Sequence, residues 1–493
     1  MGGRISLAVD KLKPLFNPRS IAFVGASSDP EKWGFIILSN LLRGGFPGRI
    51  YPVNPRQKEI LGLPVYPSIA EVSEIPDLAV IVVPPSALPQ VIKDCLDKGI
   101  KAGLLITAGL AELGGQGEQL QEEIVHLARQ GGMVLQGPNC NGMMNPHHKF
   151  YCTMPTICPL PGPFAVIAQS GNVAGSVTRD IMSRGLGISH YISSGNEADL
   201  HHEDYLEYLG EDETTRVILS YVEGFRDGRR FLEVSRKVAK KKPIVMLKSG
   251  DTLAGAMAAK SHTASLAGSD SVANAAFRQA GIIRVTHLDE IVDIGSVFIS
   301  QPLPKGNSIA ILTGGGGWGV LAADACSRAG LQVAKLSERT LSELDKYLPP
   351  WWPRSNPVDT VAGVVKNVSS ILLEILLSSA EINGVITLGV SGQGIRRVTV
   401  DDPLTGKPRV SAQAELESFA SFLKQAIKLR DHYQKPVVAV TSMYLSGGEV
   451  SAEIAALTEE TQTVWYSSPH RAAAAYAALY GYGEQLRRSN FDE

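Results

Sequence analysis

The sequence predicts an α/β protein of three domains, and three observations carry that prediction. Short apolar runs rich in β-branched residues recur about every 25 residues with helical patterns between them, as buried parallel strands in βα units require. Aromatics make up only 6% of a chain that is 44% hydrophobic and holds 49 Gly and 29 Pro, a balance suited to α/β layers joined by tight strand-to-helix turns. The 493 residues exceed one core, and about 150 residues per domain gives three.

The first domain, expected over 1–150, takes its strands from SIAFVGA (20–26), RIYPVNP (49–55), DLAVIVVPP (77–85), KAGLLITAG (101–109) and MVLQGPN (133–139). These continuous runs predict a doubly wound, Rossmann-like sheet. After the Pro-rich stretch 155–163 the pattern restarts with FAVIAQSG (164–171), LGISHYISSG (186–195), RVILSYVEG (216–224) and KPIVMLKSG (242–250), a second domain over 151–300. QPLPKGN (301–307) punctuates again, and SIAILTGGGG (308–317), NGVITLGVSG (383–392), KPVVAVTSM (435–443) and TVWYSSP (463–469) give a third over 301–493. It ends in the helix-forming run RAAAAYAALYGY, and its polar, turn-rich stretch 395–413 reads as an excursion or loop.

Charge and cysteine content narrow the function classes. Lys+Arg total 47 against Asp+Glu 49, a net charge of −2, so no global field argues for nucleic acid or an anionic membrane surface. Five cysteines without a CxxC suggest neither a disulfide framework nor a zinc site. No run approaches about 18 apolar residues and no signal-peptide core opens the chain, so a soluble cytoplasmic protein is expected. The match of Met1-Gly2 to a myristoylation pattern is too short to weigh.

Three turns can hold an anion. The first, VGASSDPEKWG (24–34), lacks the GxGxxG of a nicotinamide site, and the second strand ends in Val53-Asn54-Pro55 followed by Arg56 and Lys58 rather than an acid. Gly25, Ser27, Ser28 and Lys32 beside that basic cluster suit a nucleotide with an extra ribose phosphate, such as NADP or coenzyme A. The second, IAQSGNVAG (167–175), sets Ser170, Gly171 and Asn172 where a strand meets a helix, so backbone N–H groups converge on the positive end of a helix dipole. The third, LTGGGGWGV (312–320), opens the backbone at Gly315, Gly316 and Gly317. None is a P-loop, because no GKS or GKT follows.

Taken together, VGASSDP, NLLRGGFPGRIYPVNP, IPDLAVIVVPP, LLITAGLAELG, GPNCNGMMNP, QSGNVAG, SSGNEADL, YVEGFRDGRRF and AAKSHTASLAGSD resemble, in this order, the NDP-forming acyl-CoA synthetases. That family includes ADP-forming acetyl-CoA synthetases and is related to succinyl-CoA synthetase. The resemblance runs from about residue 15 to 300 and continues more weakly through LTGGGGWGVLAADAC and NPVDTVAG to about 480. It implies a CoA-binding Rossmann-like domain and two flavodoxin-like CoA-ligase domains in an α-subunit-type chain. The implied reaction interconverts carboxylic acid, CoA and ATP with acyl-CoA, ADP and phosphate, through an acyl phosphate and a phosphohistidine.

By resemblance the phosphohistidine falls on His262 in SHTASLAG, and Glu223 in YVEG is the acid that hydrogen-bonds it. Ser170, Gly171 and Asn172 fall on the phosphate turn. The CoA positions fall around Gly25, Ser27, Ser28, Lys32, Asn54, Lys58, Val83, Pro84, Thr107, Asn139 and Cys140. The chemistry agrees: a nucleophilic imidazole must be neutral, with one nitrogen free and the other N–H held by a carboxylate. Small neighbours, Ser261, Thr263, Ala264 and Gly268, suit a loop that carries a phosphoryl group between sites. Cys140 reads as a packing residue rather than a nucleophile.

Two departures from the family pattern set further expectations. The ATP-grasp module of about 200 residues has no segment left to occupy, so ATP/ADP with Mg²⁺ is expected on a separate ATP-grasp β subunit, in an α₂β₂ assembly. The third-domain turn reads Gly316-Gly317-Trp318-Gly319 where the family commonly has GGPG. Trp318, with Trp351 and Trp352, either shapes a larger acyl pocket or, in the case of the adjacent pair, caps a core. A noncatalytic CoA-binding regulatory protein of the same fold is the alternative. An NADP-dependent oxidoreductase is disfavoured by the missing GxGxxG.

Overall fold

A computed structural model describes residues 9–252, 254–255, 257, 269–361, 368–389, 399–401, 408–410, 412–441 and 448–489. The chain clusters into two compact units, 1–182 with 187–291, and 183–186 with 292–493.

The first unit holds two sheets. In the first, β1 (Ser20–Val24), β2 (Arg49–Val53), β3 (Leu78–Ile81), β4 (Ala102–Leu105) and β5 (Val134–Gln136) are all parallel in the order β2-β1-β3-β4-β5. Their apolar runs are buried on both faces because helices cover both sides: α1 (Trp33–Arg43), α2 (Leu88–Lys98) and α3 (Gln116–Gln130). On α2, Leu88, Ile92 and Cys95 fall at helical spacing and are the buried residues, and Gly99 at φ +90° ends the helix in the left-handed conformation. In this strand order the chain reverses direction across the sheet between β1 and β3, so a crevice opens at their carboxyl ends.

The second sheet contains β6 (Gly142–Asn145), β7 (Phe150–Thr153), β8 (Pro161–Ala168), β9 (Ile188–Ser193), β10 (Val217–Val222), β11 (Ile244–Lys248) and β12 (Ile283–Val285), in the order β12-β11-β10-β8-β9-β6-β7. Strands β8 to β12 are parallel, whereas β6 runs antiparallel to β9 and to β7. Its helices are α4 (Gly171–Ser183), α5 (His202–Glu211), α6 (Gly228–Ala239), α7 (Asp270–Ala280) and the start of α8 (Leu288–Ser300). The hairpin β6–β7 was not among the expected strands: GMMN and FYCT are buried throughout, so they show no alternation to read. A division at residue 150 falls inside this hairpin. One apolar core runs through both sheets, from Phe16, Phe23 and Leu104 to Ile167, Ile192 and Phe231.

The second unit is built on β13 (Ser308–Thr313), β14 (Gln332–Val333), β15 (Val358–Asp359), β16 (Gly384–Leu388), β19 (Val437–Val440) and β20 (Trp465–Tyr466), all parallel, in the order β14-β13-β16-β19-β20 with β15 also on β13. Its helices are α9 (Gly316–Arg328), α10 (Glu338–Asp345), α11 (Ser369–Ser378), α12 (Ala412–Tyr433), α13 (Gly448–Thr461) and α14 (Pro469–Ser489), the last containing the alanine run. Within the polar excursion, β17 (Thr399–Asp401) and β18 (Pro408–Val410) pair antiparallel. Asp293 of α8 is held between Arg184, at 2.6 Å, and Arg471 of α14. Trp352 is buried in this core with its indole N–H on Asp345 at 2.8 Å, whereas Trp318 and Trp351 are exposed. Of the two readings for the adjacent pair, Trp352 caps a core.

Candidate active site

The turn after each strand of the first sheet places an expected residue at the crevice. Gly25, after β1, has φ +93°, and a Cβ there would come within 2.1 Å of the Val82 carbonyl oxygen, so only glycine fits. Ser27 is buried and accepts from the Asp29 N–H at 3.0 Å; Ser28 is exposed and accepts from Gln57 at 2.7 Å. Asn54, after β2, donates to the Ala26 carbonyl at 2.8 Å and accepts from the Arg56 N–H at 2.8 Å. Thr107, after β4, donates to the carbonyl of Val83, itself after β3, at 2.7 Å. The Asn139 N–H, after β5, returns to the Thr107 carbonyl at 2.9 Å. These bonds lace the turns side by side and leave exposed Pro84, Lys58 and Lys32 at the rim, with Lys32 sharing its charge with Asp29 at 3.7 Å.

Cys140 is buried beneath that rim, and its thiol lies 3.2 Å from the Leu105 carbonyl. Burial pushes the thiol up to about 12, so it stays protonated at neutral pH. That is the behaviour of a packing residue. The set suits a phosphorylated nucleotide: a glycine turn ahead of a helix, with exposed Ser28, Lys32 and Lys58 at the edge.

The second site lies at the carboxyl end of the second sheet. Gly171, directly after Ser170, begins α4, a helix of 13 residues, with Asn172 exposed in its first turn. The first N–H groups of such a helix have no partner within it and carry the positive end of its dipole. A Cβ on Gly171 would lie 2.2 Å from Asn141 Cγ, and the Gly171 carbonyl accepts from Tyr191 at 3.1 Å. Glu223, one residue past β10, is buried, with its neighbour Tyr221 on that strand. Burial raises the Tyr221 hydroxyl, and the Glu223 carboxylate pushes it the same way. His262 lies outside the described residues, as do Ser261, Thr263, Ala264 and Gly268.

What the sequence did not announce is the brace that holds this site. Gln169 Oε1 accepts from the N–H groups of Glu223, at 2.6 Å, and Gly224, at 3.2 Å. Its Nε2 donates to the Gly224 carbonyl at 2.8 Å and to Glu197 at 3.0 Å. Glu197 sits in the turn after β9 at φ +50°, buried, and its other oxygen accepts from Ser194 at 2.7 Å. Burial pushes the Glu197 carboxyl up, but the His202 ring, Ser194 and Gln169 outweigh it and hold the group below the ordinary carboxylate value. The carboxylate fixes which end of the Gln169 amide faces the Glu223 backbone. SSGNEADL had marked this loop without giving Glu197 a role. A final contact joins the two sites: Asn139 donates to Asn196, next to Glu197, at 3.2 Å.

The glycine turn of the second unit is simpler. Thr313 Oγ1 donates to the Gly315 carbonyl at 2.8 Å, and nothing lies within 4 Å of a Cβ placed on Gly315 or Gly317, while one on Gly316 would meet Asp359 at 3.1 Å.

Comparison with known proteins agrees with this architecture. Family models match in order: a CoA binding domain at 19–146, a succinyl-CoA ligase like flavodoxin domain at 161–298 and a ligase-CoA domain at 309–391. The chain is 37% identical over 466 residues, 94% of its length, to acetate–CoA ligase [ADP-forming] II subunit alpha of Pyrococcus furiosus, of which it covers 96%. It is 42% identical over 71% of its length to acetate–CoA ligase [ADP-forming] of Methanocaldococcus jannaschii, spanning about half (49%) of that longer protein. The solved structure of Ca. Korarchaeum cryptofilum dinucleotide forming acetyl-coenzyme A synthetase 1, in complex with phosphate and ADP, superposes with TM-score 0.84 at 33% identity, covering 98% of both chains. With similarity running end to end and the three domains in the same order, the chain belongs to the family of ADP-forming acyl-CoA synthetases.

Proposed function

We propose that the chain is the catalytic α-type subunit of an ADP-forming acyl-CoA synthetase, with CoA in the crevice of the first sheet and the phosphoryl chemistry at the start of α4. The observation that carries this reading is the Asn139 to Asn196 hydrogen bond, which ties the crevice turn after β5 to the turn after β9 whose Glu197 holds Gln169, within one unit. A thiol delivered from the first can then meet an acyl phosphate formed at the second.

His262 is the phosphoryl carrier, oriented by Glu223. A carboxylate oxygen of the acid attacks the phosphorus of the phosphohistidine, the P–N bond breaks and its electron pair returns to the imidazole. The CoA sulfur then attacks the acyl carbon, the C–O bond to phosphate breaks, and phosphate leaves with the charge while the thiol proton passes to it or to solvent. The α4 N–H groups, near Ser170, Gly171 and Asn172, offset the negative charge throughout. Gly315, Gly316 and Gly317 offer a second anion turn of the same kind.

ATP, ADP and Mg²⁺ belong to a separate ATP-grasp β subunit, in an α₂β₂ assembly. Supporting this, the Pyrococcus relative is named a subunit, and the Methanocaldococcus relative is about twice as long as the stretch it shares. A cytoplasmic setting suits five cysteines that are all unpaired.

The test is phosphorylation. Incubated with its ATP-grasp partner, Mg²⁺ and ATP labelled at the γ-phosphate, the wild-type chain takes up acid-labile, base-stable label, and His262→Ala takes up none. Equal labelling of the two, or none in either, sinks the assignment and leaves the noncatalytic CoA-binding alternative.

A further inference from the structure

A cavity of about 430 Å³ lies in the first unit between α6 and α7, at the carboxyl ends of β10 and β11. Its walls are Phe225, Phe231, Leu232, Val272 and Ala276, and it contains one strongly basic side chain among the described residues, Lys248. Phe225 and Phe231 lie with ring centroids 4.0 Å apart, and Phe225 meets the edge of Phe277 at 6.0 Å, so the aromatic wall is packed from behind. Val272 is 67% exposed and marks an opening to solvent. Pockets of about 300–1,000 Å³ with apolar walls and a few placed polar groups are the usual form of small-molecule sites.

Two features connect this cavity to the phosphoryl site. Gly224, in its lining, follows Glu223 directly and is held by Gln169 on both its N–H and its carbonyl. Lys248 is the residue of β11 in register with Val222, the last residue of β10 before Glu223. Lys248 is buried, at 4% exposure, and its ammonium donates to the Ser249 carbonyl at 2.8 Å. The carboxylate nearest in charge, Asp270, is engaged by Arg284 through two hydrogen bonds of 2.6 and 3.1 Å. Asp270 is thus committed to Arg284, and Lys248 is the cation that borders the apolar chamber.

Resting on the functional reading above, we propose that this cavity seats the hydrocarbon part of the acid substrate with Lys248 facing its carboxylate, so that the preferred acid is a monocarboxylate larger than acetate. Acetate carries one methyl group and would leave nearly all of the chamber unfilled. A longer aliphatic or an aryl acid buries its body against Phe225 and Phe231 while its carboxylate stays beside the loop that holds Glu223. Burial draws the Lys248 ammonium below its ordinary range, and Asp270 and Asp251 oppose that. An incoming carboxylate acts in the same direction as those two acids and favours the charged ammonium.

The experiment measures acyl-CoA formation by the chain with its ATP-grasp partner over linear acids from acetate to hexanoate and over phenylacetate. The expected result is a KM that falls roughly fourfold per added methylene until the chamber fills. Ala276→Phe fills the chamber and lowers the ratio of kcat/KM for hexanoate to that for acetate at least tenfold. Ala276→Leu does so by less. Lys248→Met raises the KM of every acid with the KM of CoA little changed, and Lys248→Arg restores part of the loss. A profile in which acetate is the best acid, or a hexanoate to acetate ratio that Ala276→Phe leaves unchanged, overturns the proposal while acyl-CoA formation itself stands. Failure to form any acyl-CoA or to label His262 overturns the functional reading beneath it, a result distinct from a misassigned acid pocket.

Discussion

Two strand-to-helix turns look alike as strings, QSGN before α4 and GGGG before α9, yet they obey different constraints. The first is pressed and braced. Asn141 leaves no room for a side chain at Gly171, and Gln169 and Glu197 tie the turn to the Glu223 backbone. The second is open, with free space above Gly315 and Gly317 and a single threonine hydroxyl across its start. Glycine at the first satisfies packing, whereas glycine at the second leaves backbone N–H groups approachable from outside. The braced turn is therefore suited to holding a geometry and the open one to admitting a group.

The largest expected effect breaks the brace. Gln169→Leu strips the Glu223 and Gly224 N–H groups of their acceptor and Glu197 of a donor, and a misplacement on the order of 1 Å in such a site costs about 10²-fold. Turnover and His262 labelling should fall by that order, with the KM of CoA within about twofold because the crevice is built from other turns. A matched fall in CoA affinity would show that Gln169 holds the whole unit rather than this site. Next in size, Gly171→Ala should cost about 1–3 kcal/mol in denaturant unfolding, as overpacking does. Gly315→Ala and Gly317→Ala should stay within about 0.5 kcal/mol while slowing turnover. Equal stabilities across the three variants would erase the contrast.

The smallest effect is a slope. Glu197 is held below its ordinary value, so its contribution to stability is full above the unfolded value of about 4.3 and is lost as pH falls through the folded one. Between the folded and the unfolded value, the stability of Glu197→Gln should change less steeply with pH than that of wild type, by up to one proton. Parallel curves would remove Glu197 from the brace.

These contrasts also mark what was legible in the sequence. The parallel strands were, because a strand buried on both faces must be a continuous apolar run, as in Ile21 to Val24 and Ile309 to Leu312. The strand-end positions of Gly25, Asn54, Val83, Thr107 and Asn139 were too, since each follows such a run. Gln169 and Glu197 were not: they stand 28 positions apart, and only the folding of two loops onto one another makes them partners. Hairpin β6–β7 escaped because its four-residue strands GMMN and FYCT, interrupted by Gly142, Asn145 and Thr153, show neither alternation nor a continuous apolar run. Trp318 and Trp351 stand exposed in the second unit, whereas the chamber lined by Phe225 and Phe231 is in the first.

The same hairpin has a thermodynamic consequence. It leaves the last strand of the coenzyme sheet by one short turn and forms the edge of the next sheet, over a core that runs beneath both. Melting either sheet alone would expose that shared core, so the two are expected to unfold in one cooperative transition. Binding energy gained by CoA at the first sheet is then felt in full by the second, and saturating CoA should raise the melting temperature of the second sheet together with that of the first.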